Sequence, residues 1–100
     1  MLNVSREFYE DTPLTFNLSQ NYPNPFNPSS TINFDIPRSG MVQLSVINTL
    51  GQTVQVLIDE IRNEGNHSVN FNASSLSSGV YFYRLEFDGK SLVNKMILLK

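Results

Sequence analysis

One hundred residues with a net charge of −2 and 16% charged side chains make a single domain with no basic footprint for nucleic acid. Cysteine is absent, which excludes a disulfide framework, a thiol nucleophile and a thiolate metal site. No apolar run approaches the ~20 residues of a membrane span.

Residues 1–13 are weakly patterned and carry Arg6, Glu7, Glu10 and Asp11, so they read as a linker in which Phe8 and Tyr9 are the groups able to dock. They lack the apolar core and small-residue cleavage site of a secretory signal peptide, so either the protein stays inside the cell or, the favoured reading, these residues link the tail of a longer chain to an upstream cargo. The domain proper is expected at 14–100. Leu14, Phe16 and Leu18 alternate with polar residues as a short first strand.

Next comes Asn21 to Pro28, NYPNPFNP. Its prolines delete backbone donors and push the preceding residues toward extended geometry, so neither a helix nor a central strand runs here. Tyr22 and Phe26 become two aromatic pegs on a stiff strap, expected to lie across the β-rich chain that follows. Asn side chains supply local hydrogen bonds that a proline-rich segment otherwise lacks.

Beyond the strap, Ile32, Phe34 and Ile36 alternate with Asn33 and Asp35, and Val42, Leu44 and Val46 alternate with Gln43 and Ser45. Asn48 to Gln52 reads as a turn with Gly51 at positive φ, leading into Val54–Ile58. There the extra apolar Leu57 predicts either a bulge or a strand end buried on both faces. Asp59 to Gly65 reads as a charged loop. His67, Val69 and Phe71 share a face of the next strand, and Leu76 plugs the loop Ala73–Gly79. In the strand Val80–Phe87, Tyr81, Tyr83, Leu85 and Phe87 share one face. Asp88-Gly89 turns it into Ser91–Leu99, where Met96 and Leu98 oppose Ile97 and Leu99. Seven or eight short strands with regular turns and no helical period predict an all-β, immunoglobulin/fibronectin-III-like antiparallel β-sandwich.

Chemistry finds little purchase. The lone His67 is in phase with apolar neighbours and has no positioned partner for acid–base work, which makes it a rim or core imidazole. No serine lies in a nucleophile-elbow pattern. Asp59, Glu60 and Glu64 lack the ligand alternation of a calcium loop and read as solvated charges. No catalytic, cofactor-binding or metal-binding residue is expected. The chain end KMILLK is apolar on both faces, and fits either a strand covered by the strap or an element that another protein reads.

The segments FNLSQNYPNPFNPSSTINFDIP, INTLGQTV, SSLSSGVYFYRL and KMILLK, in this order and spacing, resemble the type A C-terminal sorting domain of type IX (Por) secretion substrates. The resemblance runs from about Phe16 to Lys100 and departs at Asn48, where an acidic residue is common. It implies an appendage similar to immunoglobulin-like modules, including that of flagellar hook-capping proteins, and not an enzyme. It also implies recognition by the type IX translocon in the periplasm, export of an attached upstream cargo through the outer membrane, and removal by a sorting peptidase at the cell surface. The residues carried over are Asn21, Tyr22, Pro23, Asn24, Pro25, Phe26, Asn27 and Pro28 from the opening motif. Gly79, Tyr81, Tyr83 and Arg84 follow from the strand motif, and Lys95, Met96, Leu98, Leu99 and Lys100 from the end.

Two other classes compete. A carbohydrate-binding sandwich needs coplanar exposed aromatics, for which Tyr9, Phe82 and Phe87 are the candidates. A structural spacer needs no recognition surface at all.

Overall fold

The computed structural model describes residues 15–100, and in them the alternating segments form seven strands. These are β1 (Asn17–Leu18), β2 (Ser29–Ile36), β3 (Gly40–Ile47), β4 (Thr53–Arg62), β5 (Gly65–Asn72), β6 (Gly79–Phe87) and β7 (Lys90–Leu98). They build two antiparallel sheets, ordered β1-β2-β5 and β4-β3-β6-β7. Connections after β2, β4 and β5 change sheets, and this gives the sandwich expected from the pattern. In constant-type immunoglobulin domains four strands face three in the opposite distribution. Here the tight Asn48–Gln52 turn holds β4 beside β3. The Asn48 Oδ1 accepts from the N–H groups of Leu50 (2.9 Å) and Gln52 (3.0 Å). An asparagine therefore supplies the acceptor oxygen at the place where an acidic residue is common.

Period-2 burial puts Ile32, Phe34, Ile36 and Phe71 of one sheet against Leu44, Val46, Tyr83, Leu85, Met96 and Leu98 of the other. Val69 packs on this core only partly buried, because β5 is an edge strand. The Asp88-Gly89 turn has both residues at positive φ, 53° and 75°, as a two-residue hairpin loop demands.

The expectation at Leu57 holds, and three others shift. Leu57 does mark a bulge: Leu44 faces Ile58 and Ser45 faces Val56, leaving Leu57 with no partner. The expected loop at Asp59–Gly65 is mostly strand, because β4 keeps pairing as far as Arg62 opposite Gly40. Ser45 lies on the outer face as expected but is buried, between Val56 and Arg84. The first strand is only Asn17–Leu18; Leu14, Phe8 and Tyr9 lie outside the described residues.

Candidate functional site

The strap owes its position to the strand before it. Phe16 packs against Phe87 near the β6–β7 turn, ring centroids 6.0 Å apart, and the chain then runs down between the two sheets. On one side Asn17 and Leu18 pair with Asp35 and Phe34 of β2. On the other, Asn94 of β7 donates through Nδ2 to the carbonyls of Leu18 (3.0 Å) and Ser19 (3.2 Å). From there the chain follows β7 in the same direction until Phe26 forms a parallel bridge with Leu98.

Asn21 is the pivot, and it is buried. Its backbone N–H donates to the Tyr83 hydroxyl (2.8 Å), which donates in turn to the Ser19 carbonyl (2.7 Å). Its Nδ2 donates to Ser30 Oγ (2.8 Å) and to the Pro23 carbonyl (3.2 Å). Gln20 Nε2 donates to Asn21 Oδ1 (2.7 Å) and to the Lys95 carbonyl (2.8 Å). These bonds satisfy polar groups that burial would otherwise leave costly. Burial raises the Tyr83 phenol above its ordinary 10.0, while hydrogen bonds from Asn94 and the Asn21 backbone pull it the other way. The phenol therefore stays protonated and can both donate and accept.

The two aromatic pegs part company. Phe26 is buried, 5.8 Å from Phe71 between centroids, with its N–H donating to the Ile97 carbonyl and its carbonyl accepting from Leu99, both at 3.0 Å. Tyr22 was expected to pack as well, but it is 79% exposed. Its backbone pairs with Thr31, at 2.9 and 2.8 Å, and that pairing turns the ring to solvent. Pro23, Asn24, Pro25 and Asn27 are also exposed, and the three X–Pro bonds of the strap are cis. Asn24 Oδ1 accepts from the Ile97 N–H (2.9 Å), and Pro28 accepts from the Ala73 N–H (2.8 Å).

The strap, the start of β6 and the end of β7 thus meet at one pole. Gly79 faces Leu98 and Tyr81 faces Met96. Tyr81 donates to the Ser77 carbonyl (2.6 Å). Lys100 is tied to the β5–β6 loop through its N–H to Ser78 Oγ (2.9 Å) and its Nζ to the Ser74 carbonyl (2.7 Å). The end of β7 is therefore covered by the strap. Exposed at the pole are Tyr22, the proline ridge, Leu99 and Lys100. Met96 and Leu98 are fully buried, and Lys95 is exposed on the outer sheet face. Arg84 is not at the pole: it lies mid-strand on that same face, opposite Ser45 and Val93. Phe16 marks the far end, about 26 Å away along the length of β6.

Asn94 was missed in the sequence, although a polar residue in the inward phase of Leu92, Met96 and Leu98 signals a buried partner. Elsewhere, His67 stacks on Phe34 at 5.2 Å and sits 2.6 Å from the Asn63 carbonyl, a rim imidazole as expected. Among the described residues no cluster of His, Asp and Glu is placed to hold a metal ion. Among the described residues, Phe82 and Phe87 do not form the exposed aromatic platform of a carbohydrate binder. Phe87 is buried beneath Arg38, 5.5 Å from its ring centroid, Phe82 is half-buried, and Tyr9 lies outside the described residues.

Against known proteins, the family model for the secretion system C-terminal sorting domain matches residues 20–99. Among solved structures, the chain is similar to PorZ, described as an essential bacterial surface component of the type-IX secretion system of human oral-microbiomic Porphyromonas gingivalis. The likeness has a TM-score of 0.53 at 16% identity over 85% of this chain, which spans only 11% of PorZ. No curated protein matches by sequence.

Proposed function

The chain belongs to the family of secretion system C-terminal sorting domains, and on that premise we propose that its strap pole is the face read during export. The domain is a sorting signal for type IX secretion, which implies passage across the outer membrane to the cell surface. The finer reading is ours. Residues 1–13 link a cargo to the domain 14–100. A translocon component engages Tyr22, the proline ridge, Leu99 and Lys100 in the periplasm. A surface peptidase then separates cargo from domain, and the domain itself has no catalytic role. The observation that carries this reading is the gathering of exposed motif residues at the end opposite Phe16. A component holding that end keeps the cargo on the far side, free of the contact. Strand addition along the end of β7 is disfavoured, since the strap already takes those backbone groups.

The test is a reporter with a periplasmic signal peptide fused upstream of residues 12–100. It is expected at the surface only in cells with type IX secretion. Deleting Met96–Lys100 would remove two fully buried side chains, so surface variants are more decisive. Tyr22→Ala combined with Leu99→Ser should leave the circular-dichroism spectrum and melting temperature unchanged and hold the reporter in the periplasm. Export of that folded variant at the wild-type rate would refute the pole as the recognition face.

A further inference from the structure

The register assigns every outward residue of the four-stranded sheet to a row. Met41 faces Ile61; Gln43 lies between Asp59 and Glu86; Ser45 lies between Val56 and Arg84, which faces Val93. Ile47 then adjoins Phe82, which faces Lys95, and Val80 faces Ile97. Half of this face is apolar. Five of the nine large hydrophobic residues exposed among the described residues lie on it: Met41, Val56, Ile61, Val80 and Val93. A sheet face with this much exposed apolar side chain marks a contact surface.

Its charges are ordered as well. Asp59 and Glu86 occupy one row, Arg84 the next and Lys95 the one after. The Arg84 Nε is buried without a hydrogen bond: the Glu86 carboxylate on its own strand is 3.0 Å away but out of line. The buried Nε is closed to an incoming group, so a second carboxylate approaching from above the sheet would meet the outer part of the Arg84 guanidinium, whose side chain is partly exposed.

We propose that this face is a self-association surface, on which a second copy of the chain packs sheet to sheet with strands reversed. A two-fold axis between the Glu86 row and the Arg84 row brings Arg84 of each copy to Glu86 of the other. The same operation stacks each strand on its own counterpart and lays the Phe82–Lys95 pair of one copy on the Asp88–Lys90 end of the same hairpin in the other, where the open groove begins. Keeping the strands parallel would set acidic row on acidic row, so the charge order selects the reversed arrangement. Four strands by five rows measure roughly 19 Å by 30 Å, so two faces remove about 1,100 Å² from solvent. That lies at the lower end for specific contacts and gives a transient pair of micromolar or weaker affinity. The inference does not rest on the sorting reading.

Sedimentation velocity of the 100-residue chain, from about 10 μM to about 1 mM, tests it. Wild type should show a dimer that grows with concentration and weakens with salt. Arg84→Glu should weaken it at least about tenfold, and Arg84→Glu with Glu86→Arg should return it to within about threefold. Phe82→Ser should weaken it about tenfold, with circular dichroism confirming the fold. A monomer throughout the range overturns the proposal. So does a dimer indifferent to Arg84→Glu and Phe82→Ser, or a double variant that stays dissociated.

Discussion

The two outer faces of the sandwich are built from strands of similar length, yet they show solvent opposite chemistries. On the three-stranded sheet, β2 presents Ser29, Thr31, Asn33 and Asp35, and β5 presents Asn66, Ser68, Asn70 and Asn72. Apart from the Tyr22 ring, which the bridge to Thr31 puts on the same side, no apolar side chain of β2 or β5 interrupts that face. On the four-stranded sheet Phe82, Val56, Val93 and Ile97 stand among two cations and two carboxylates. A face of amides and hydroxyls is well hydrated and has nothing to gain from cover. Leaving the other face bare keeps apolar surface in water at roughly 25 cal/mol per Å². Overall composition averages the two and hides the contrast, which appears only when each residue is assigned to a face.

The largest expected effect breaks the sandwich that keeps the two faces apart. Phe71→Ala should cost about 3–5 kcal/mol, since Phe71 is fully buried and also supports the Phe26 ring. Phe26→Ala should cost about 2–4 kcal/mol, whereas Tyr22→Ala should stay within about 0.5 kcal/mol. Chemical denaturation measures all three, and equal losses for Tyr22 and Phe26 would mean that both rings are packed.

The next effect lies at the seam between the sheets. Tyr83→Phe leaves the Asn21 N–H without its acceptor and should cost about 1–3 kcal/mol at neutral pH. The folded chain holds the phenolic proton more tightly than the unfolded chain does. This contribution is therefore complete below pH 10 and is lost as pH rises through the raised value. The gap in stability between wild type and Tyr83→Phe should narrow as pH climbs past 10. A gap that is constant with pH would assign the alkaline loss to other groups.

The strands could be read from alternation alone because a half-buried sheet imposes a period of two on its residues, and Leu57 announced its bulge by breaking that period. The charged end of β4 misled for the complementary reason: an edge strand tolerates Asp59 and Glu60 while its backbone keeps pairing. The strap resisted because prolines leave it no period. Which ring turns inward is decided by backbone partners far away, Thr31 for Tyr22 and Leu98 for Phe26, and no local residue encodes them. The pole itself was half legible. The Asp88-Gly89 turn returns β7 along β6, so Gly79 and Leu98 had to end up side by side. That the strap would arrive there depended on Asn21, Ser30, Tyr83 and Asn94, polar groups spread over most of the chain.

The smallest expected effect on stability bears most directly on the contrast between the faces. Asn70→Val puts an apolar residue on the polar face, and Val93→Asn puts a polar one beside Arg84 on the apolar face. Both positions are exposed, and each change should move stability by no more than about 0.5–1 kcal/mol. Self-association should separate them. Val93→Asn removes apolar area next to the proposed axis and should weaken the dimer about fivefold. Asn70→Val adds one methyl pair among amides, with only the Tyr22 ring beyond Thr31 in its row and no ordered charges, and should leave the association constant unchanged. Sedimentation of both variants beside wild type decides the matter. Stronger association by Asn70→Val would mean that any exposed methyl group suffices, and the contrast would lose its meaning. Equal dimerisation by Val93→Asn and wild type would move the contact off this face, even though the face is apolar.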